Sequence, residues 1–591
     1  MHLDPVLGAK HWKILQRDPD LEEQFARSVP VSRVLSRILL NRGIQTPEQT
    51  QRFLNPDLDE LYDPSLFDGM DRAVARTRHA LDRREKIMVH GDYDVDGISG
   101  TALLVRVLLA LGAEATWHVP HRQKEGYDIQ PPAVEAAKEQ GISLIITVDC
   151  GTSAVEAIEQ AKTCGIDVVV TDHHEPGPNI VDAAAVINPR KPGCPYPFKD
   201  LAGVGVAFKF AEALVRECGY DTSAFRRKFV DLVAIGTVAD IVPLMDENRT
   251  LVKFGLQEIP RSGKRGLRAL LEKAGLATRP ITSQVLAFVL APRLNAAGRL
   301  DDASIALELL LTRDDAEAAR LADALETCNK ERRLEQERIT REALEQIASR
   351  KLDETTKVLV LSSQGWHPGV VGIVAGKIVD RYGRPAVLVA LDDSGDVGVG
   401  SARSIAAFDV FEALVKCGDL LDRYGGHSQA AGLSIIADKL PDFDSAINRL
   451  ADTVLADSDL IPQIEIDAEL DLDSVTEDFI TELELLEPYG HCNREPVFVT
   501  ENAMILQKNT MGATGAHLKM KLGTASGRPI ECVGFGWGSA ERSIRLGSLL
   551  NVCYNTRIND YRGFRTVQLV LRDARQSAAV IGDEFSLGND A

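Results

Sequence analysis

From about residue 85, short apolar runs alternate with Ala- and Glu-rich stretches. The runs are KIMV, SLIITV, DVVVT and AAAVIN, and the stretches between them include PPAVEAAKEQG and SAVEAIEQAKTCG. Continuous apolar runs of this length are typical of strands buried on both faces, and the stretches between them are typical of amphipathic helices. The alternation therefore predicts βαβ units that form a parallel sheet covered by helices.

A second pattern covers residues 313–350, which contain neither Gly nor Pro and carry a narrow apolar stripe. It predicts one helix roughly 55 Å long at 1.5 Å per residue, of the polar kind that connects two domains. A second α/β unit follows to about residue 455. Its predicted strands are KVLVLS, PAVLVAL and VGVGS, and its predicted helix is GVVGIVAGKIVDRYG.

The last third of the chain changes to a β pattern with Gly, Asn and Asp turns. Five strands are predicted at VFVTENAMILQK, HLKMKLG, IECVGFGW, LLNVCYNTRI and TVQLVLRDA, and a small OB-type barrel accounts for them. We therefore expect an α/β protein with a C-terminal β-barrel. The expected parts are a helix-and-loop region at 1–60, a parallel-sheet domain at 61–312, the connector helix at 313–350, a smaller α/β domain at 351–455, the barrel at 456–580 and a tail at 581–591.

Composition and charge narrow the class of protein. The 591 residues are 45% hydrophobic, which excludes collagen-like and disordered architectures. The net charge of −20 excludes a protein that binds nucleic acid through a wholly basic surface. Nine cysteines without a CxxC pair indicate neither a disulfide framework nor a zinc knuckle. With no signal peptide and no long apolar segment, we expect a cytoplasmic protein without a membrane span.

Acidic and imidazole side chains follow three successive predicted strands. Because the carboxyl ends of parallel strands meet at one edge of a sheet, these side chains are expected to converge there. The residues are His90, Asp92, Asp94 and Asp96 after the first run, Asp149 after the second, and Asp172, His173 and His174 after the third.

Crowded carboxylates repel one another unless cations hold them, and an oxygen-rich set with imidazoles suits Mn²⁺ or Mg²⁺. Two such ions, about 3.5–4 Å apart, clamp the attacking water and the leaving oxygen in phosphoester hydrolysis. A calcium loop is the alternative for DYDVDG, but no Glu stands at the EF-hand offset. Each motif alone also fits a turn or a polar surface, whereas their placement at three consecutive strand ends favours a metal site.

The motifs DYDVDG, VDCG, DHH and GGHSQAAG resemble the signatures of the DHH phosphoesterase superfamily with its DHHA1 domain. The phrases VAIGTVADIVPL, PRLNAAGRL and GWHPGVVGIVAGKI, together with the barrel, narrow the resemblance to the exonucleases of that superfamily that are specific for single strands. The likeness spans about residues 80 to 575. It implies a DHH domain and a DHHA1 domain around a cleft, and metal-dependent 5′→3′ degradation of single-stranded DNA to mononucleotides in DNA repair and recombination.

The resemblance also implies roles for individual residues. Asp172 would orient an imidazole, and His174 would meet the scissile phosphate. His90 matches a ligand position of the pyrophosphatase members. The implied ligands of two Mn²⁺ or Mg²⁺ ions are Asp94, Asp96, Asp149, His173 and Asp240.

An anion site is expected in the second α/β unit. Gly425 and Gly426 allow close backbone approach, and His427 is expected at the start of a helical SQAAG segment whose free N–H groups favour phosphate. The resemblance implies that this GGH faces the metal cluster. Ser401 and Arg403 offer further donors to phosphate oxygens.

Further substrate contacts are expected from Arg293, Asn295 and Arg299, with salt bridges between domains as the alternative for the arginines. Trp366 and His367 precede a helix rich in small residues, where a stacked base or a terminal phosphate would dock. Packing of Trp366 in the core is the alternative.

The barrel segment from Lys521 to Arg575 reverses the charge of the chain, with nine basic residues against four acidic ones. Interleaved with these are Trp537, Tyr554, Tyr561 and Phe564. The pattern predicts a surface that binds a single strand through phosphate contacts and base stacking. The alternative is a barrel with solvated arginines and core aromatics.

Two other functions remain open from the sequence. One is hydrolysis of oligoribonucleotides or small phosphoesters by the same site, and the other is a non-catalytic scaffold that binds single strands. The expected partners are single-stranded DNA and a single-strand-binding protein or a helicase, and the expected state is a monomer.

Overall fold

A computed structural model describes residues 7–8, 10–15, 18–122, 124–177, 179–300, 302–561 and 563–577, with the backbone alone at 355, 561 and 564. The expected tail at 581–591 lies outside these residues. The chain divides into two compact units. Unit A consists of residues 48–333 and 486–494, and unit B of residues 1–47, 334–485 and 495–591.

The strands and helices follow in chain order. The strands are β1 (His11–Ile14), β2 (Lys86–Gly91), β3 (Glu114–His118), β4 (Leu144–Val148), β5 (Asp167–Thr171), β6 (Ala185–Ile187), β7 (Leu359–Gln364), β8 (Ala386–Leu391), β9 (Val397–Arg403), β10 (Arg423–His427), β11 (Ala430–Ile436), β12 (Gln463–Ile466), β13 (Ala468–Glu469), β14 (Phe498–Met511), β15 (His517–Gly523), β16 (Ile530–Gly534), β17 (Leu549–Tyr561) and β18 (Phe564–Gln576). The helices are α1 (Pro19–Ser28), α2 (Arg33–Asn41), α3 (Pro47–Leu54), α4 (Met70–Arg83), α5 (Val95–Ala110), α6 (Pro131–Glu139), α7 (Val155–Thr163), α8 (Gly203–Glu217), α9 (Thr222–Ala239), α10 (Asp246–Glu258), α11 (Arg265–Lys273), α12 (Ser283–Val285), α13 (Ala291–Leu300), α14 (Ser304–Leu311), α15 (Asp315–Arg350), α16 (Leu352–Thr355), α17 (Pro368–Tyr382), α18 (Val410–Lys416), α19 (Leu440–Val454) and α20 (Glu477–Glu484).

Unit A is built around a five-stranded sheet in the order β3-β2-β4-β5-β6, and every neighbouring pair is parallel. The prediction of a parallel sheet is confirmed. Alternate residues of β2 enter two different cores, since Ile87 and Val89 pack on one face and Met88 on the other. The chain order reverses between β2 and β4, and open α/β sheets bind ligands at such a switch point.

The segment 486–494 joins unit A although the residues on both sides of it belong to unit B. It is held by Arg249 of α10, which is 1% exposed. The Arg249 guanidinium donates to the carbonyl oxygens of Leu486 and Glu487 at 2.8 Å each, and it stacks on Phe53 at 3.9 Å. A buried guanidinium needs such acceptors, so unit A is complete only with this returning segment.

Unit B contains a mixed sheet in the order β10-β11-β9-β8-β7, in which β7 and β8 are parallel and the other pairs antiparallel. The single helix α15 covers the stretch where one long helix was predicted, and the boundary between the units falls within it at Leu334. Near the N-terminus, β1 pairs in parallel with β12.

The five strands predicted after residue 455 are present as β14 to β18. They follow the order β14-β15-β16-β18-β17, and pairing of β14 with β17 closes the barrel. The prediction of an OB-type barrel is confirmed. Among the residues described, none of the helices combines the length and the apolar character that crossing a membrane requires.

Candidate active site

The carboxyl edge of the unit A sheet gathers the side chains that the sequence placed after its strands. Asp92 follows β2, Asp149 follows β4, and Asp172 and His173 follow β5. Asp240 joins them from the C-terminal end of α9. The site is therefore assembled at the switch point of the sheet.

The three Asp of DYDVDG do not lie in one extended segment, because a helix begins within the motif. Asp94 is the N-cap of α5, and its Oδ1 accepts the N–H groups of Asp96 at 2.9 Å and of Gly97 at 3.2 Å. Asp96 lies in the first helical turn because this cap begins the helix there. The two carboxylates are brought together by a helix start.

The carboxylate of Asp96 is fixed by the first turn of α8. It accepts the N–H groups of Gly203 at 2.7 Å and of Val204 at 2.9 Å, where the helix dipole favours negative charge. Only glycine fits at position 203, since a Cβ there would lie 2.4 Å from Asp149 Oδ1. The start of α8 thus packs against two of the candidate ligands.

The candidate ligand atoms fall into three overlapping groups, and within each group the atoms lie within 4.8 Å of one another. Asp149 and His173 each belong to two groups, as expected where ligands are shared between neighbouring ions. The groups are Asp92, Asp94 and Asp149; Asp149, His173 and His174; and Asp96, His173 and Asp240. All five residues implied as ligands by the family resemblance are among them.

The centre of the cluster fits a divalent cation. His173 Nε2 lies 3.1 Å from Asp149 Oδ1 and 3.6 Å from Asp240 Oδ2. Both Asp149 Oδ1 and His173 Nε2 are buried, and neither makes a hydrogen bond within the described residues. Buried polar atoms are normally paired, so ligand atoms that converge in this way are suited to a shared cation.

The electrostatics of the cluster support the same interpretation. Burial raises the pKa of Asp149 well above its usual range, and the charges of Asp96 and Asp94 raise it further. Burial and the charge of Asp94 raise the pKa of Asp240 to about 7. Burial lowers the pKa of His173 to about 3, which keeps the ring neutral and able to bind a metal. A cation would hold the carboxylates ionised at neutral pH.

Asp172 supports the two histidines from behind. Its Oδ1 lies 2.8 Å from His174 Nδ1, and its Oδ2 accepts the Thr152 N–H at 3.0 Å. Burial would lower the pKa of His174, but the hydrogen bond and charge of Asp172 outweigh burial and raise it to about 9. The phenol oxygen of Tyr127 also lies 3.1 Å from His174 Nδ1.

The structure does not bring His90 into the cluster. Among the described residues His90 is absent from the groups of close ligand atoms, and its ring stacks on His118 with centroids 5.2 Å apart. Burial lowers the pKa of His90 to about 3.

Two site residues were not assigned from the sequence. Asp92 belongs to the DYDVDG motif, where its alternate spacing with Asp94 was a usable signal, yet only the later acids were matched to ligands. Tyr127 lies in the loop between β3 and α6 and carries no motif. Its position after a strand of the same sheet was the one signal available.

The helix α13 carries the three residues predicted as substrate contacts in unit A. Asn295 Oδ1 accepts the Val95 N–H at 3.2 Å, so it helps to position the start of α5. Arg293 pairs with Glu326 at 2.7 Å inside unit A. Arg299 is half-buried, and Gly298 beside it packs close to the Tyr93 carbonyl.

The predicted helical SQAAG segment is wrong. Residues 423–427 form β10, residues 430–436 form β11, and His427 pairs with Ala430 across a two-residue turn. Gly426 has φ +143, and a Cβ there would lie 2.4 Å from the Ala430 carbonyl oxygen. Gly425 lies in the exposed strand β10 beside it. The free N–H groups of a helix start are therefore not available at His427.

A different helix end lies beside the predicted phosphate donors of unit B. Arg403 donates to Ser401 Oγ at 2.9 Å, and a Cβ on Gly372 of α17 would lie 2.8 Å from that Oγ. His367 is the N-cap of α17, and its Nδ1 accepts the Gly369 N–H at 3.1 Å. Ser401 and Arg403 therefore adjoin the N-terminal half of α17.

Trp366 supports the packing alternative. It is 3% exposed, and its Nε1 donates to Glu342 at 2.7 Å. A base cannot stack on a ring that is buried in this way.

The barrel aromatics predicted to stack on bases are also buried. Trp537 is 7% exposed and Tyr554 is 0% exposed, so both belong to the core. The side chains of Tyr561 and Phe564, and all of Arg562, lie outside the described residues. Phe535 is an exposed aromatic among the described barrel residues, at 49%, and the Arg557 guanidinium lies 5.3 Å from its ring centre.

Three family models match the chain. The DHH family N-terminal domain matches residues 86–237, the DHHA1 domain 355–453 and the RecJ OB domain 466–573. The three matches cover the parallel-sheet unit, the mixed sheet and the barrel in turn.

Curated relatives and solved structures match along almost the whole chain. The chain is 40% identical to the single-stranded-DNA-specific exonuclease RecJ of Bacillus subtilis, covering 97% of this chain and 72% of that relative. It is 34% identical to the protein of the same description from Escherichia coli, covering 95% and 98%. The structure of RecJ in complex with Mn²⁺ from Thermus thermophilus matches with a TM-score of 0.83 at 33% identity, covering 96% and 80%.

Proposed function

Because the chain belongs to the RecJ family of single-stranded-DNA-specific exonucleases, we propose that it is a metal-dependent exonuclease that degrades single-stranded DNA from the 5′ end to mononucleotides. The observation that carries this proposal is the pair of buried, unbonded atoms Asp149 Oδ1 and His173 Nε2, which lie 3.1 Å apart in a cluster of carboxylates. Cations would stabilise these clustered carboxylates in their ionised form.

The proposed ligands of two Mn²⁺ or Mg²⁺ ions are Asp94, Asp96, Asp149, His173 and Asp240, with Asp92 beside them. Such ions, when bound, supply an activated water and stabilise the charge of the leaving oxygen. The chain itself positions these groups. The α8 N–H groups orient Asp96, and Asp172 orients His174 toward the scissile phosphate as a proton-carrying donor.

Substrate binding is proposed on unit B as well as on α13. Ser401 and Arg403, beside α17, suit the 5′ phosphate, since a forked guanidinium binds two phosphate oxygens at once. Gly425, Gly426 and His427 form an exposed hairpin edge available to the strand. The barrel, with exposed Phe535 and basic side chains, suits binding of the strand farther from its end.

The remaining expectations stay proposals. We propose a division into a DHH domain at 61–312, a DHHA1 domain at 351–455 and an OB domain at 456–580, supported by the positions of the family matches. We also propose that the protein acts as a monomer in the cytoplasm beside a single-strand-binding protein or a helicase. Nine free cysteines suit a reducing compartment.

The test is cleavage of one oligonucleotide labelled in turn at its 5′ and 3′ ends, with Mn²⁺ or Mg²⁺ present. The expected result is early loss of the 5′ label as mononucleotide, a faster rate with a 5′ phosphate, and arrest at a blunt duplex. Early loss of the 3′ label would contradict the polarity. Hydrolysis of oligoribonucleotides or cyclic dinucleotides alone would show that single-stranded DNA is not the substrate. Strand binding without hydrolysis would show that the protein is a non-catalytic scaffold.

A further inference from the structure

Unit A has a cavity of about 290 Å³. It lies at the ends of α5 and α9 that are remote from the metal cluster. It is formed by the C-terminal end of α5, the N-terminal half of α9 and the loop 259–264 that follows α10. Six basic side chains line it. They are Arg106, Arg227, Lys228, Arg261, Lys264 and Arg313.

The cavity is separate from the proposed catalytic centre. Asp96 and Arg106 are both on α5, and ten residues of helix place them about 15 Å apart at 1.5 Å per residue. Asp240 caps the far end of α9 from Arg227, and thirteen residues correspond to about 20 Å. A ligand of nucleotide size bound here would not touch the metal cluster.

The acidic side chains of the cavity do not balance its charge. Asp231 is already engaged, since its oxygens lie 2.7 and 2.8 Å from Lys264 Nζ and one of them accepts from Ser262 Oγ at 2.7 Å. Glu258 is the other carboxylate in the lining. The cavity therefore has an excess of positive charge after its internal pair is formed.

Several of the basic groups have no carboxylate partner among the residues that the structure describes. Arg106 donates to the carbonyl oxygen of Leu310 at 2.8 and 2.7 Å, which leaves its charge unneutralised. Within the described ranges, the ion pairs include no partner for Arg227, Arg261 or Arg313. Burial lowers the pKa of Arg106, and the repulsion from Arg313 lowers it further and exceeds the opposite effect of Asp231. An anion would relieve this repulsion.

We propose that this cavity is a second anion site, which binds a phosphate group of a nucleotide-sized ligand. The guanidinium and ammonium groups of the lining are donors that suit phosphate oxygens, and the volume admits a mononucleotide rather than a folded macromolecule. The phosphate has two possible sources, a free nucleotide or the backbone of the bound strand. The site goes beyond the proposed nuclease activity, and its occupancy is measured without cleavage.

The first experiment is calorimetric titration of the full-length protein with inorganic pyrophosphate, in excess chelator so that the metal centre contributes no affinity. The test variant is the double change Arg227→Ala with Arg261→Ala, both of which are exposed side chains whose loss leaves the core intact. We expect at least a tenfold weaker dissociation constant. Arg83→Ala, an exposed arginine of the same unit outside the cavity, is the matched control and should bind like the parent.

Other outcomes would overturn the proposal. These are no pyrophosphate binding by the parent at millimolar concentration, equal weakening in Arg83→Ala, and loss of binding in Arg403→Ala instead, which would assign the anion to unit B. If the double variant is not folded by circular dichroism, the single change Lys228→Ala takes its place with an expected threefold or greater weakening. Unchanged binding in a folded cavity variant would equally reject the site.

The second experiment distinguishes the two sources of phosphate. A deoxynucleoside 5′-monophosphate and a 40-nucleotide single strand are titrated separately against the parent and the double variant, again in chelator. Weakening of the mononucleotide alone assigns the site to a free nucleotide. Weakening of the long strand, with a salt slope reduced by about 0.7 per phosphate contact, assigns it to the backbone. Weakening of neither ligand would contradict a phosphate site.

Discussion

The metal cluster of unit A and the β10–β11 hairpin of unit B both carry signature motifs, but they differ sharply in exposure. Asp96 and Asp172 are 1% exposed and Asp149 is 2% exposed. All five residues of β10, from Arg423 to His427, are exposed. The protein thus buries most of its proposed chemical groups and presents the proposed binding groups of the hairpin to solvent.

This contrast in burial separates the two regions by the desolvation cost of their charged groups. Burial raises the pKa values of the cluster carboxylates, which shows that desolvation disfavours their ionised form. Folding and bound cations would offset this cost before substrate binds. The hairpin and the exposed barrel residues carry no such desolvation cost. Because they lie in water, each of their contacts with substrate is expected to be weak. Changes in the cluster should therefore reduce turnover severely, whereas changes on the exposed surfaces should reduce affinity or end preference modestly.

The largest expected effect is that of Asp149→Asn. The change keeps the shape and suits the φ of +63 at this position, because Asn tolerates the left-handed region, but it removes the charge. A loss of several kcal/mol of metal-dependent stabilisation lowers turnover about 10³-fold or more. Single-turnover cleavage rates test this expectation, and the metal content of each variant is measured in parallel. Asp182→Asn, a change at an exposed site, is the control. Near-normal turnover with unchanged metal content in Asp149→Asn would show that Asp149 is not a metal ligand.

Asp172→Asn should have the next largest effect. The carboxylate orients His174 but belongs to no group of close ligand atoms among the described residues, so turnover should fall about 10- to 100-fold while metal content stays normal. KM for the strand should not change. A loss of metal equal to that in Asp149→Asn would mean that Asp172 binds the ions itself.

Arg403→Ala tests the proposed phosphate donors of unit B. The rate advantage of a 5′ phosphate should fall about tenfold, as for one lost charge-assisted hydrogen bond, while binding of the strand interior stays unchanged. Paired rates on phosphorylated and unphosphorylated strands measure it. Arg27→Ala, an exposed arginine of α1 in the same unit and outside the proposed binding residues, is the matched control. An equal loss on both substrates would remove Arg403 from the 5′ end.

Phe535→Ala should have the smallest effect. Loss of one stacked base costs about 1 kcal/mol or more, which weakens affinity for a long single strand about fivefold. Fluorescence anisotropy measures this affinity, and Leu546→Ala is an apolar control that is 61% exposed. Equal weakening in both variants would show that exposed apolar area, rather than an aromatic ring, determines binding.

The clustering of acidic side chains in unit A is predictable from the sequence because its signals are local. Each strand is a continuous apolar run, and each acid stands directly after a strand, so parallel topology alone brings Asp149 and Asp172 together. The barrel strands are equally predictable, from the alternation of apolar and polar residues and from the turn residues between them. In both regions the information lies within a few consecutive residues.

The errors arise where long-range pairing decides the structure. SQAAG is compatible with a helix by composition, but β11 pairs with β9 from Ala430 to Ile436, and this sheet register imposes a hairpin. Tyr127 reaches His174 only through the tertiary fold, since 47 residues separate them. The burial of Trp366 and Tyr554 likewise depends on partners distant in sequence.

The returning segment 486–494 has a consequence for synthesis on the ribosome. The Arg249 Nε donates to the carbonyl oxygen of Phe53, which is made early. Its two terminal nitrogens gain the carbonyl oxygens of Leu486 and Glu487 only later, although the rest of unit A is finished at residue 333. At 5–20 residues per second the interval lasts roughly 8 to 30 s. Unit A therefore reaches its final packing only when most of unit B has been translated.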